Sequence, residues 1–294
     1  MARGRDWFLG LLLLTALGIF LFFVASIFFG PSSNDGFELA TGQHLGMVKV
    51  EGVILESEQI VKDIERFGED ENAAALIVRI DSPGGGVAAS QEIYEAIKKV
   101  RDQGKFVIAS MASVAASGGY YVACGADTIM ANPGTTTGSI GVIAELINTT
   151  ELLDKIGVKF EIIKSGKYKD SGSPWRPMTE DDRRYFQNYV DDAFDQFVEV
   201  VSRERGLERS EVLKYADGRV FTGQQALEND LIDVLGTYQD AVALAAEAAG
   251  LEGKPRVITP RKRKVTVWDV MFGDLEEYWT RIQTLPVLRY QMVL

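Results

Sequence analysis

Residues Trp7 to Phe29 run for about 23 positions without a charge, and no other feature restricts the chain's fold so tightly. At 1.5 Å per residue such a run is roughly 34 Å long as a helix, enough for the ~30 Å hydrocarbon layer of a bilayer. Arg3 and Arg5 precede it, and no Lys or Arg follows until Lys49. The positive-inside rule then puts residues 1–6 in the cytoplasm and everything after the span on the far side. The plainer alternative is a cleaved signal peptide, for which Ala25 and Ser26 offer small residues. Its apolar region would be only ~7–15 residues long. A retained transmembrane anchor over 7–29 is the expectation, followed by a linker over 30–46 (GPSSNDGFELATGQHLG).

The rest of the chain alternates strand and helix patterns. Met47–Leu55 reads as a strand and Glu58–Phe67 as a helix. Ala73–Ile80 is a short apolar run suited to a buried parallel strand, and Val87–Val100 an amphipathic helix. Further strands are expected at Phe106–Met111, Thr128–Ala131 and Phe160–Ile163. Helices are expected at Thr179–Arg205, Gln224–Glu228 and Tyr238–Ala249. This order implies an α/β fold with a largely parallel sheet. The 46% apolar and 25% charged residues exclude a disordered chain. A net charge of −11 argues against nucleic acid as a partner.

Two turns after strands carry chemistry, because open α/β sheets bind ligands where strands end. Ser82-Pro83-Gly84-Gly85-Gly86-Val87 can present bare backbone N–H groups; a plain tight turn or a phosphate loop would use the same glycines. Ala115-Ala116-Ser117-Gly118-Gly119 puts a serine at a helix start, where a simple N-cap is the competing role. Together they offer a nucleophile and donors for a developing oxyanion. The serine needs a base. His44 is the single histidine and is expected to be a solvated residue of the linker. Cys124 is the single cysteine and reads as a small core residue, so neither a zinc cluster nor a disulfide is available. That leaves a carboxylate or a lysine desolvated enough to be neutral. The segment Ile162–Asp170 holds Lys164, Lys167 and Lys169, and spacing does not choose among them.

These motifs, S-P-G-G-G-V (82–87), A-A-S-G-G-Y-Y (115–121), T-G-S-I-G-V (137–142), K-S-G-x-x-K-D (164–170) and D-G-R-V-F-T-G (217–223), occur in one order over roughly residues 47–250. In this the chain resembles the bacterial signal peptide peptidase A family, the short membrane-anchored form of the Ser–Lys proteases. The resemblance implies a Clp-protease/crotonase-like fold with repeated β-β-α units over 47–250, behind the N-terminal transmembrane helix. It implies Ser117 as nucleophile, Lys169 as general base and Ser139 as the serine that orients the lysine. Gly85 and Gly118 would form the oxyanion hole, with Gly84 an alternative to Gly85. No cofactor and no metal are implied. The implied partners are remnant signal peptides and other apolar peptides, the lipid bilayer, and further copies in a ring-like homo-oligomer whose neighbours can share the dyad. The implied place is the bacterial inner membrane, single-pass, with the peptidase domain on the periplasmic side.

Two other readings use the same residues. A crotonase-fold acyl-CoA enzyme would keep the oxyanion hole without a nucleophile, and an inactive membrane-assembly scaffold would need neither. The tail over 251–294 departs from the family pattern. Its basic run Arg261–Lys264 suits anionic headgroups, and Trp268, Phe272, Tyr278 and Trp279 follow. The apolar end, 285–294, is expected to seek a groove, with an active site as one destination.

Overall fold

The computed structural model describes residues 42–260 and 288–292, together with 7, 14, 15 and 17–20. These last seven positions are helical. Among the described residues no helix is long and apolar enough to cross a membrane. The expected span over 7–29 falls largely outside them, as do linker residues 30–41, the basic run and the four tail aromatics.

From His44 onward strands and helices alternate. β1 (His44–Glu51), α1 (Glu58–Glu69), β2 (Ala73–Ser82), β3 (Gly84–Gly86) and α2 (Val87–Asp102) form the first part. β4 (Phe106–Ala116), α3 (Gly118–Ala123), β5 (Thr128–Ala131), β6 (Thr136–Gly138), β7 (Ile143–Ala144) and α4 (Thr150–Ile156) follow. Then come α5 (Glu180–Arg205), α6 (Arg209–Val212), β8 (Val220–Thr222), α7 (Gly223–Glu228), β9 (Val234–Leu235), α8 (Tyr238–Ala248), β10 (Val257–Ile258) and β11 (Leu288–Gln291).

The main sheet runs β10-β1-β2-β4-β5-β9, all parallel, as the apolar runs anticipated. Alternation along β2 sends Ala75 and Ile77 to one face, where Leu45, Ile108 and Met130 meet Ala241 and Ala245 of α8. Leu76, Val78 and Ile80 point the other way and are equally buried, so the sheet is covered on both sides. β4 continues past Met111 to Ala116. Its first half pairs with β5 and its second half with β6, so the sheet divides along this strand. β6 in turn pairs antiparallel with β8. β3, β11 and β7 make a separate antiparallel sheet.

Two expectations fail. Phe160–Ile163 is not a strand: among the described residues no neighbouring backbone pairs with it, Ile163 is fully exposed, and Phe160 stacks on Trp175 at 4.5 Å. His44 is not solvated. Its N–H donates to Asn72 O at 2.9 Å, which draws it into β1, where it is 1% exposed with Nε2 3.4 Å from Asp70. The helix α4 has too few residues to show a clear apolar period, and the sequence reading did not anticipate it.

The long helix α5 begins where the acidic turn suggested. Thr179 caps it, accepting from Asp182 N while the Asp182 carboxylate accepts from Thr179 N. Near its other end Glu204 joins α5 to α2. It accepts from Tyr94 Oη, from Arg101 Nη1 at 2.9 Å and from Arg203 Nε at 3.0 Å. Burial alone would raise this carboxyl, but the donors outweigh it and hold it below its ordinary value.

Glu204→Ala should cost about 2–3 kcal/mol at pH 7, since it removes the acceptor that Tyr94, Arg101 and Arg203 share. Because the folded carboxyl titrates below its unfolded value of ~4.3, its stabilisation is complete above that pH. It is lost as the pH falls through the folded value. Urea midpoints of the two proteins should therefore draw together as the pH falls below the unfolded value. Equal midpoints at pH 7 would show that Glu204 does not hold the two helices together.

Candidate active site

Ser117 follows the last residue of β4, and Ser139 follows the last residue of β6. The parallel register sets Ala116 beside Gly138, so the two serines leave adjacent strand ends together. Ser117 N–H donates to Gly138 O at 2.7 Å, and Ser139 N–H to Arg219 O at 2.8 Å. Both serines have positive φ, 54° and 52°, in a region that side-chain-bearing residues rarely adopt. Strain of this kind persists only where surrounding bonds enforce it, and it gathers at functional sites. Ser117 is 1% exposed and opens α3, its carbonyl accepting from Tyr121 N–H.

The glycine turn forms β3 in front of this helix. One edge of β3 bonds to Ile54: Ile54 N–H donates to Gly84 O, and Gly86 N–H to Ile54 O. The other edge pairs antiparallel with β11, the chain's own C-terminal segment, with Tyr290 opposite Gly85. Met292 N–H donates to Pro83 O at 2.8 Å, which fixes the phase of the ladder. In that phase Gly85 and Tyr290 form the pair that exchanges both backbone hydrogen bonds, so Gly85 N–H points at Tyr290 O. Gly84 N–H is turned instead to Ser82 Oγ, 3.1 Å away. A Cβ on Gly84 would lie 1.9 Å from Tyr290 O and 2.6 Å from Gly118 N. The Tyr290 carbonyl, the Gly85 amide and the Gly118 amide therefore crowd around one point. The apolar end of the tail has found a groove here, by adding a strand.

The Tyr290 side chain is fully buried. Its ring stacks on Tyr121 at 5.1 Å and lies 4.6 Å from the Phe197 ring, and Oη donates to Ala193 O at 2.9 Å. On the far side of the carbonyl, Gln291 and Met292 enter a cleft of about 930 Å³ that Ser139, Val142, Phe194 and Val220 also line. Tyr121 was quoted in the sequence motif without a role. It stands one helical turn after Ser117, a spacing that puts it on the serine's side of the helix. Ala193 and Phe197 come from α5, and no local signal links them to the site.

Lys169 is itself exposed, on a turn over 165–172 whose last three residues are half-buried. Among the described residues no hydrogen bond joins it to Ser117 or Ser139. The three lysines nevertheless differ. Lys164 pairs with Asp170, and Lys167 with Asp181, which raises the Lys167 ammonium above its ordinary value. Lys169 has no such carboxylate among the described residues. Its turn is clamped by Arg176, which makes bidentate contact with Asp170 and also with Asp182, itself 2% exposed. Arg176 holds both carboxyls well below the usual range. Ser171 completes the clamp by donating to Asp182 Oδ1 at 2.5 Å. Cys124 is buried as expected, and burial pushes its thiol up to about 12, too high for a thiolate nucleophile.

Comparison with known proteins agrees with these features. Residues 99–252 match the model of Peptidase family S49. The chain is 45% identical over 218 residues to "Putative protease slr0021" of Synechocystis, covering 74% of this chain and 78% of the relative. It is 37% identical over 185 residues to "Putative signal peptide peptidase SppA" of Enterococcus faecium, covering 63% of this chain and 54% of the relative. It is 35% identical over 223 residues to "Serine protease SPPA, chloroplastic" of Arabidopsis thaliana, covering 76% of this chain and 32% of that longer protein.

Arg176→Ala should loosen the Lys169 turn and leave the sheet intact. Deuterium uptake by a peptide spanning 164–173 should rise severalfold within minutes, while β2 and β4 peptides stay protected. Unchanged uptake over 164–173 would show that the clamp does not order this turn.

Proposed function

The chain belongs to peptidase family S49 and is a serine peptidase, and from that premise we propose that Ser117 is its nucleophile and Lys169 its base. The observation that carries this reading is the peptide strand at β3, whose Tyr290 carbonyl stands beside the Gly85 and Gly118 amides. A bound substrate would lie the same way. Ser117 Oγ attacks the carbonyl carbon while Lys169 Nζ takes the hydroxyl proton. Gly85 and Gly118 N–H groups stabilise the oxyanion, a contribution typically of about 3–4 kcal/mol per donor. Lys169 returns the proton to the leaving amine, and water then releases the acyl group from Ser117. Ser139 orients the lysine, a role its place beside Ser117 supports. An acyl-CoA enzyme of related fold would have no use for a cleft that takes an extended backbone by strand pairing.

In our reading the dyad is completed between neighbouring subunits of a ring-like homo-oligomer. Two features support this. Lys169 makes no bond to Ser117 within one protomer, and Ile147, Leu152, Ile156 and Ile163 are left exposed on the same part of the chain. The charge-free run over 7–29 would anchor the protein in the inner membrane, with the peptidase domain over 47–250 on the periplasmic side. The substrates would be apolar peptides, including the signal-peptide remnants that the name of the Enterococcus relative suggests.

Ser117→Ala should reduce casein hydrolysis to background and abolish labelling by a fluorophosphonate probe. Lys169→Ala should be as severe, because members of one catalytic unit are not additive. Lys164→Ala and Lys167→Ala should lose about tenfold or less. Wild-type turnover by Ser117→Ala would overturn the nucleophile. Turnover retained by Lys169→Ala but lost by Lys164→Ala would reassign the base.

A further inference from the structure

None of the reacting groups lies in the motif D-G-R-V-F-T-G over 217–223, yet this segment borders the strand that leads into Ser139. β8 pairs antiparallel with β6, setting Val220 opposite Gly138 and Phe221 opposite Thr137. The Phe221 ring covers Gly138, where an added Cβ would lie 2.5 Å from it. Thr222 caps α7 by accepting from Gln225 N–H. These residues serve the ladder and the helix. Asp217, Gly218 and Arg219 are exposed, and packing does not account for them.

Their bonds converge on Ser139. Ser139 N–H donates to Arg219 O at 2.8 Å, and Gly218 N–H donates to Ile140 O at 3.1 Å. The turn therefore grips the chain at Ser139 and at the residue after it. Asp217 locks the turn itself. Its Oδ1 accepts from Arg219 N–H at 3.2 Å and from Arg219 Nε at 2.7 Å, and its Oδ2 accepts from Arg219 Nη2. Arg219 holds the Asp217 carboxyl down to about 2, so it is a charged acceptor at any pH where a lysine base is neutral. An exposed ion pair of this kind contributes little to stability. What it fixes is a carbonyl, and that carbonyl helps to keep Ser139 at φ 52°.

We infer that Asp217 is a positioning residue for the peptidase reaction: by bonding Arg219 it fixes the carbonyl that holds Ser139 in its left-handed conformation, and Ser139 in turn aims the lysine base. The inference rests on the proposed role of Ser139 and deepens it. Without the Asp217 carboxylate the turn over 217–219 loosens, Ser139 N–H loses its fixed acceptor, and Ser139 relaxes toward an ordinary φ. Its hydroxyl then swings away from the lysine and the chemical step slows. Peptide binding at β3 is untouched, because Ile54 and β11 supply the bonds there. Asp217 also lines the cleft that Met292 enters, so direct contact with substrate is the competing role, and it would act on KM.

The test uses the full chain in detergent and an apolar fluorogenic peptide. The proteins are wild type, Asp217→Ala, Asp217→Asn, Ser139→Ala and the double variant Asp217→Ala/Ser139→Ala. Asp217→Ala should lower kcat on the order of 10-fold to 100-fold, with KM within about twofold and the urea midpoint unchanged. Asp217→Asn, whose amide oxygen still accepts from Arg219 N–H, should restore kcat to within about threefold of wild type. The double variant should match Ser139→Ala within about twofold, because both substitutions undo one arrangement. Wild-type kcat in Asp217→Ala beside an impaired Ser139→Ala overturns the positioning role and leaves that of Ser139 standing. A raised KM at constant kcat overturns it in favour of substrate contact, and a lowered urea midpoint in favour of a structural role. Asp217→Asn no better than Asp217→Ala, or losses that multiply in the double variant, overturn it as well. Wild-type kcat in Ser139→Ala brings down the role of Ser139 and that of Asp217 with it.

Discussion

Gly84–Gly86 bonds on one edge to Ile54 and on the other to the Tyr290 strand, and neither edge leaves room for a side chain. A Cβ on Gly85 would stand 2.1 Å from Ile54 O, and one on Gly84 1.9 Å from Tyr290 O. Gly84 also has φ 98°, which an L-residue rarely adopts. Three successive glycines weaken a strand by chain entropy, so a free strand of this composition would be poor. Here it is held because Ile54 supplies partners for Gly84 O and Gly86 N. The Gly85 N–H and O are thereby left for a peptide. The groove, the donor and the direction of the bound chain all follow from that one arrangement.

The serine side of the site is fixed by a second backbone device. Parallel pairing of β4 with β6 brings Ala116 and Gly138 together, and the bond from Ser117 N–H to Gly138 O ties the two strand ends. Ser117 and Ser139 leave those ends with the same unusual φ. The lysine side is held by charge instead. Arg176 binds Asp170 and Asp182 together, so the Lys169 turn is tied to the capped start of α5. The same helix supplies Ala193 and Phe197 to the Tyr290 pocket and ends near Glu204, which ties it to α2. One helix thus links the Lys169 turn with the wall that contacts the C-terminal strand.

Much of this was legible beforehand. Buried parallel strands announce themselves as unbroken apolar runs, which is why Ala73–Ile80 and Thr128–Ala131 were found nearly to the residue. Thr179 announced itself by its acidic first turn. The failures share a cause. Phe160–Ile163 has a strand's composition, but a strand exists only when another backbone lies alongside. His44 has a linker's neighbours, but its pairing with Asn72 lies 28 positions away in sequence.

The sequence by itself determined the α/β class, the order of the elements, and the motif residues from which the family is read. It also supplied a charge-free run of bilayer length at the N-terminus. Only the tertiary structure decided that Gly85, rather than Gly84, turns its N–H to the peptide edge. Only it separated Lys169 from two neighbours engaged by Asp170 and Asp181. It alone set the C-terminal strand on β3 with Tyr290 against Tyr121, Phe197 and Ala193. The physical reason is range. Strand and helix patterns come from periodicities of two and 3.6 residues, which a local stretch displays in full. Which amide faces a peptide, which lysine lacks a carboxylate and which groove receives a tail depend on contacts between residues far apart in the chain, and those exist only once it has folded.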